Sequence, residues 1–358
     1  MKICDALAHG ARRLRGHAPH PEVTVRALLT HVLERPESWL WAHDDAPLPE
    51  EAQARFDTLL SRHVEGEPLA YLLGWQPFRQ LTLRVTPDVL IPRPETEFLV
   101  DLVLEKGDAL AQTRTAAGAA KADPAKTGET PSDRPENAPE PAFSRHAAGR
   151  LKNDPAKMGE TPFQTSPNGH DTGIFRHVTG GLETDPAKSG ETPLRVADLG
   201  TGSGAIALAI KAERPHWRVT ATDLSEAALQ VARHNAREHG LEIDFRHGRW
   251  FEPLAGERFH LIVSNPPYVD PADPHLAGGI RFEPRGALVA DDHGLADLFH
   301  LIDHAPDFLA PGGWLLLEHG YNQADAVCRR LRQRGFGGVA WHTDPFGNPR
   351  VSLGQWNP

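Results

Sequence analysis

The residue types best suited to chemistry stand together at Asn265-Pro266-Pro267-Tyr268. They follow Leu261-Ile262-Val263-Ser264, whose apolar run reads as the end of a buried strand that two prolines forbid from continuing. In an open α/β sheet, the carboxyl ends of the strands are where ligands sit. An asparagine amide there accepts hydrogen bonds on one side and donates them on the other. The prolines offer backbone carbonyls with no competing N–H, and Tyr268 offers a flat face for stacking. Together these groups suit a planar ligand that carries an –NH₂. The plainer alternative is a Pro-Pro turn that merely ends a strand, because short motifs recur by chance.

A second set lies upstream. Leu194–Leu199 reads as a strand, Gly200-Thr201-Gly202-Ser203-Gly204-Ala205 as a glycine loop, and Ile206 onward as a helix that ends before Pro215. Glycines let the backbone approach a ligand, and the helix start offers unpaired N–H groups. The next strand, Trp217–Thr222, ends at Asp223, where a carboxylate can accept both hydroxyls of a ribose. These features indicate an adenosine-type cofactor. Gly200-x-Gly202-x-x-Ala205 also satisfies the relaxed dinucleotide pattern, so a nicotinamide-dependent dehydrogenase is a rival reading. Hydride transfer has no need, however, of the Asn-Pro-Pro-Tyr turn. Asp198 suits a cationic or amino-acid ligand, or else caps the following helix. Trp250 either walls an adenine or belongs to the core. His300 and His304 stand four apart on a helix with Asp303 between them, a possible metal face. In a chain with 20 histidines such pairs arise by chance, and no metal is expected.

Several elements must position these groups. Residues 1–75 read as a helical bundle. Val25, Leu28, Leu29, Val32 and Leu33 share one helix face that Pro36 closes, and further helices run from Pro49 to Gly66 and from Pro68 to a Gly74 cap. Residues 76–97 alternate through Phe78, Leu81, Leu83, Val85 and Val89 around Thr86-Pro87-Asp88. That pattern suits a β-hairpin, followed by a stiff connector, Leu90-Ile91-Pro92-Arg93-Pro94-Glu95-Thr96-Glu97. Arg93 and Glu97 either serve the function or form a linker salt bridge. A helix over Phe98–Lys106 follows. Further strands are expected at Ile243–Arg246, Phe259–Ser264 and Trp314–Glu318, and helices at Ser225–His239, Leu295–Leu309 and Gln323–Arg334. An antiparallel hairpin from Gly337 to Gln355 closes the sheet edge.

Residues 113–193 differ from both flanks. Asp-Pro-Ala-Lys-x-Gly-Glu-Thr-Pro recurs at 123–131, 154–162 and 185–193, a period of 31 residues without an apolar face. Such units bury too little surface to offset the entropy of ordering, so a disordered, duplicated insertion is expected within one α/β domain of residues 98–112 and 194–358. Its removal, residues 113–190, is expected to leave fold and activity nearly intact. The 358-residue chain has a net charge of −10, which opposes broad nucleic-acid binding, and no run long enough to span a membrane. Only Cys4 and Cys328 occur, in different expected domains, so a reducing cytoplasm is the simplest compartment.

The assembled motifs resemble the release factor glutamine methyltransferases (the PrmC/HemK family). The resemblance covers residues 1–110 and 194–358. It rests on Gly66-Glu67-Pro68-Leu69-Ala70-Tyr71-Leu72-Leu73-Gly74, the Leu90–Glu97 connector, Asp198–Ala207, Ser264–Tyr268 and Arg281-Phe282-Glu283-Pro284. Amino methyltransferases of nucleic-acid bases look similar at Asn-Pro-Pro-Tyr; the helical domain and connector favour protein glutamine. The resemblance implies a seven-stranded, Rossmann-like methyltransferase domain that binds S-adenosylmethionine, with the helical bundle as substrate-recognition domain. It also implies methylation of the Gly-Gly-Gln glutamine of class-1 peptide chain release factors, without direct nucleic-acid binding. Carried over by position, Gly200, Thr201, Gly202, Ser203 and Gly204 line the cofactor, Asp223 takes the ribose and Trp250 flanks the adenine. Asn265, which also borders the cofactor, would hold the glutamine amide with Pro266, Pro267 and Tyr268, and the catalytic role falls to Asn265, Pro266 and Tyr268. One departure stands out: Arg249 occupies a place that is usually acidic in the family.

Overall fold

A computed structural model describes residues 1–122 and 193–358. The three nonapeptide repeats, Pro193 apart, lie outside the described residues. Five helices form the N-terminal unit: α1 (Ile3–Leu14), α2 (Pro21–Leu33), α3 (Glu37–Ala42), α4 (Glu50–Val64) and α5 (Leu69–Leu73). Their apolar faces share one core, in which Ile3, Leu14, Val25, Leu28, Leu29, Phe56 and Leu60 are all buried. Sequence reading gave no separate account of α1 or α3. As expected, α5 ends at Gly74 in the left-handed conformation, φ 79°, with its N–H on the Ala70 carbonyl. The Tyr71 hydroxyl donates to the Val89 carbonyl at 2.6 Å and ties α5 to the connector.

The hairpin turn is not at Thr86-Pro87-Asp88. Strands β1 (Trp75–Phe78) and β2 (Leu81–Arg84) turn at Arg79-Gln80, with Phe78 paired with Leu81. Arg79 adopts φ 52°, a conformation an arginine rarely accepts unaided. Tertiary contacts hold it there. Its backbone N–H donates to Glu97, and its guanidinium reaches Asp101 at 2.6 Å and Glu213 at 3.2 Å. Thr86-Pro87-Asp88 forms a separate turn in which the Val89 N–H donates to the Thr86 carbonyl. The next helix, α6, runs Pro94–Ala122, longer at both ends than the Phe98–Lys106 apolar face suggested.

The remaining chain alternates β3 (Arg195–Leu199), α7 (Ala205–Glu213), β4 (Arg218–Asp223), α8 (Glu226–Glu238), β5 (Asp244–His247) and β6 (Phe259–Ser264). Two short helices, α9 (Arg285–Leu288) and α10 (Asp291–Gly294), lead to α11 (Ala296–Phe308), β7 (Leu309–Glu318), α12 (Ala324–Arg334), β8 (Gly337–Thr343) and β9 (Pro349–Trp356). The seven strands lie in the order β5-β4-β3-β6-β7-β9-β8. β3 to β7 are parallel, whereas β9 runs antiparallel between β7 and the edge strand β8. Successive strand residues feed opposite layers. Val196, Leu261 and Val263 pack towards α6 and α7, and Ala197, Ile262 and Leu317 pack towards α11 and α12. Among the described residues, no helix is long and apolar enough to cross a membrane.

Candidate active site

From β3 the chain moves outward to β4 and β5, then crosses back to β6 on the other side of β3. That reversal opens a crevice at the carboxyl ends of β3 and β6, the usual ligand position in such sheets. The register pairs Leu199 with Ser264. Gly200 and Asn265, each the next residue, therefore emerge side by side. A cavity of about 520 Å³ opens there, within the range of small-molecule sites. Its lining includes Gly200, Thr201, Gly202, Ser203, Asp223, Trp250, Asn265 and Pro267, and a wall from the connector that contains Val89, Pro92, Arg93 and Thr96. Gly204, Pro266 and Tyr268 are not among the lining residues. Gly204 is the N-cap of α7. The Tyr268 ring packs on the α11 side of the core, and its hydroxyl points to Glu318 at 3.4 Å.

The glycine loop is shaped by backbone that side chains resist. Gly200 and Gly202 take φ 73° and 57°, and a Cβ on Gly200 would meet the Trp250 ring at 3.0 Å. A Cβ on Gly202 would meet nothing within 4 Å, so that residue borders open space. The Gly202 N–H donates to Asp223 at 2.8 Å, and the Ser225 N–H holds the other carboxylate oxygen at 2.8 Å. Burial raises the Asp223 carboxyl above its ordinary value, opposed by these two hydrogen bonds. Trp250 has φ 49°, and its carbonyl accepts the Thr222 hydroxyl, which fixes the indole against the loop. Its indole N–H is buried without a partner among the described residues.

Asp198 caps the following helix, one of the two roles weighed for it. One oxygen accepts the Thr201 hydroxyl at 2.6 Å and the Ala207 N–H at 3.2 Å, which caps α7. The other, Oδ1, is buried without a partner among the described residues, and burial pushes the carboxyl up to about 7. Arg249 lines the cavity beside Trp250 and pairs with Asp297 at 3.3 Å. The departure at Arg249 thus brings a carboxylate from α11 to the same end of the cavity.

Arg93 and Glu97 do not pair with each other. Arg93 forms an ion pair with buried Glu283, which also accepts the Ile91 N–H at 3.1 Å. The connector and the Arg281–Pro284 stretch are therefore one structural unit. The His300 and His304 rings lie in contact, tilted by 31°, Asp303 pairs with Arg330, and no cluster of three metal-ligating side chains occurs among the described residues.

Four further residues matter to which sequence reading gave no role at the site. Thr96 accepts the Asn265 amide N–H at 3.2 Å. Glu318, at the end of β7, is buried beside Tyr268 and raised to about 7. Glu283 anchors the connector. Asn235, fully inside α8, spans the Ser203 carbonyl and both backbone groups of Arg84. Thr96 and Glu283 sit in motifs that the sequence singled out, and Asn235 left a signal of its own, a polar side chain in phase with Ala228, Val231 and Ala232 on the buried face of an amphipathic helix.

Comparison with known proteins gives these features a lineage. The family model described as the PrmC N-terminal domain matches residues 5–74, and that of the methyltransferase small domain matches residues 186–282. A release factor glutamine methyltransferase of Vibrio cholerae is 38% identical over 339 residues, covering 94% of this chain and 90% of the relative. One from Coxiella burnetii is 32% identical over 356 residues, covering 99% of both chains. The chain belongs to the release factor glutamine methyltransferase family. A methyltransferase of this kind takes its methyl group from S-adenosylmethionine, and the residues present fit that molecule. The buried, unpartnered Oδ1 of Asp198 suits the ammonium of its amino-acid end. Asp223 keeps free lone pairs for the ribose hydroxyls, and open space at Gly202 lets the ligand lie against backbone. Trp250, which lines the same cavity, offers an aromatic surface that suits adenine.

Proposed function

We propose that the chain methylates the side-chain amide nitrogen of the glutamine in the Gly-Gly-Gln motif of class-1 peptide chain release factors, with S-adenosylmethionine as donor. One observation carries the reading: the Asn265 amide stands at the cavity beside the glycine loop, its Nδ2 committed to Thr96. Its Oδ1 takes no other hydrogen bond among the described residues and is left as an acceptor for an incoming –NH₂.

An amide nitrogen is a weak nucleophile because its lone pair is delocalised into the carbonyl. The bound cofactor supplies an electrophilic methyl group on a sulfonium. Asn265 Oδ1 accepts an N–H of the glutamine, which raises electron density on nitrogen and fixes its direction of approach. A preorganised contact of this kind contributes about 3 kcal/mol. The methylated nitrogen then sheds its surplus proton to water. Pro267, the connector wall and Trp250 surround the site and restrict water. The helical bundle is the docking domain for the release factor, joined to the cavity wall through the Tyr71–Val89 hydrogen bond.

The test is a transfer assay with labelled S-adenosylmethionine and two acceptors: a purified release factor, and the same factor with its Gly-Gly-Gln glutamine changed to alanine. Label on the first and none on the second is expected. Label on DNA or RNA in place of either would overturn the reading.

A further inference from the structure

Stacking on Trp250 holds a purine without identifying it, because every base presents a π-face. Selecting adenine requires a polar group that meets its edge, where the exocyclic amino group is a donor. The cavity lining beside Trp250 contains two charged side chains, Arg249 and Asp297. Arg249 directly precedes Trp250, and Asp297 stands in the first turn of α11. Leu298, the next residue of that helix, belongs to the apolar cluster on which Trp250 packs. The Arg249 guanidinium donates from Nη2 to Asp297 Oδ1 at 3.3 Å. Asp297 Oδ2 takes no hydrogen bond among the described residues, although the side chain is only 16% exposed. A carboxylate only accepts and a guanidinium only donates, so the polarity of this pair is fixed. An acidic residue in the first turn also complements the dipole of α11. That role leaves the place of Asp297 in the cavity lining unexplained.

We propose that Asp297 selects adenine in the cofactor: its carboxylate accepts the 6-amino group, and Arg249 is the positioning residue that holds the carboxylate there. A 6-oxo group in place of the 6-amino group turns a donor into an acceptor. The carboxylate then meets an oxygen, and binding weakens. Trp250 supplies the surface on which the base lies, and Asp297 decides which base it is. This inference goes beyond the proposed function. It rests on S-adenosylmethionine as methyl donor and is independent of the acceptor that is methylated.

The test measures binding to the full-length protein by calorimetry, with no methyl acceptor present. Two ligands are compared: S-adenosylhomocysteine and its 6-oxo counterpart, S-inosylhomocysteine. Wild type should bind the first about tenfold more tightly or better, the scale of one good contact to a base edge. Asp297→Asn keeps the shape but offers an N–H as well as an oxygen, so it can serve either ligand. Its preference should fall to within about threefold, through weaker binding of S-adenosylhomocysteine and tighter binding of S-inosylhomocysteine. Asp297→Ala should lose affinity for S-adenosylhomocysteine alone and so lose the preference as well. Arg249→Met frees the carboxylate without removing it and should leave a preference between those of wild type and Asp297→Ala. Thermal melting without ligand reports the fold of each variant, and Asp297→Asn carries the test if Asp297→Ala does not fold. Three results would overturn the proposal: a wild type without preference, a wild type that binds neither ligand, or an Asp297→Asn variant that keeps the wild-type ratio. The last is what a purely structural role at the start of α11 produces, since both ligands then lose affinity equally. If the chain methylates an acceptor other than a release factor, the proposed function falls while every ratio measured here stands.

Discussion

The Ser264 hydroxyl donates to the Leu199 carbonyl at 2.6 Å, directly before the two strands release Asn265 and Gly200 into the cavity. This buried bond locks the last pair of the β3–β6 ladder and so sets the spacing between the glycine loop and the Asn265 amide. Asn265→Ala removes the acceptor without disturbing that ladder. We expect kcat to fall by roughly 10²–10³, the usual loss for one preorganised electrostatic contact. Cofactor Kd, measured by calorimetry, should change little. Equal losses in both quantities would contradict the role assigned to Asn265.

Cofactor affinity should depend on pH through Asp198. With its carboxyl near 7 in the free protein, Asp198 is mostly neutral at pH 6 and ionised at pH 8. Only the ionised form pairs with an ammonium. Affinity should therefore weaken as pH falls below 7, approaching a tenfold loss for each further unit, and level off above 8. Asp198→Asn should bind weakly throughout and flatten the profile. Calorimetric titrations from pH 6 to 8.5 would read both effects.

Stability should depend on pH in the opposite sense through Glu318. Its carboxyl is raised from an ordinary 4.5 to about 7, so the folded protein retains a proton that the unfolded chain has already lost. The resulting stabilisation is complete below about 4.5, declines as pH rises towards 7 and is absent above it. Glu318→Gln removes this dependence. In urea titrations its stability relative to wild type should rise between pH 5 and 7.5, by at most ~1.4 kcal/mol per unit.

The connector depends on Glu283. Its buried carboxylate is held by Arg93 and the Ile91 N–H. Arg93→Met leaves that charge without its partner and should cost about 2 kcal/mol, reduced from the fully buried case because Arg93 is a third exposed. The paired change Arg93→Met/Glu283→Gln should recover part of the loss. Denaturant midpoints of the three proteins would decide.

Local features were legible wherever the local chain determines them. The β3–loop–α7 unit announces itself through closely spaced glycines after an apolar run, and Gly74 marks the end of α5 because a left-handed cap strongly favours glycine. Asn265 at the end of β6 followed from the prolines behind it. What was hidden depends on distant partners. The hairpin turns at Arg79 because Glu97, Asp101 and Glu213 hold a strained arginine, and no neighbour in sequence signals that. Arg93 finds Glu283 from 190 residues away, and Asn265 finds Thr96 from 169. Tyr268 reads as a stacking face in isolation, yet its hydroxyl is drawn to Glu318 by a contact that only the assembled sheet provides.

The Ile91–Glu283 hydrogen bond closes a loop of 192 residues, with residues 113–193 inside it. Closure entropy grows only with the logarithm of length, so chain length alone makes the extra segment cost about 0.5 kcal/mol of equilibrium stability. The larger consequence is kinetic. The wall of the cavity is synthesised early and waits for Glu283, so a ribosome-bound chain cannot complete the site until most of the sheet has emerged. Non-local closure of this kind slows folding. Binding competence should therefore appear as a late step in refolding, after the N-terminal bundle has already acquired its helical signal.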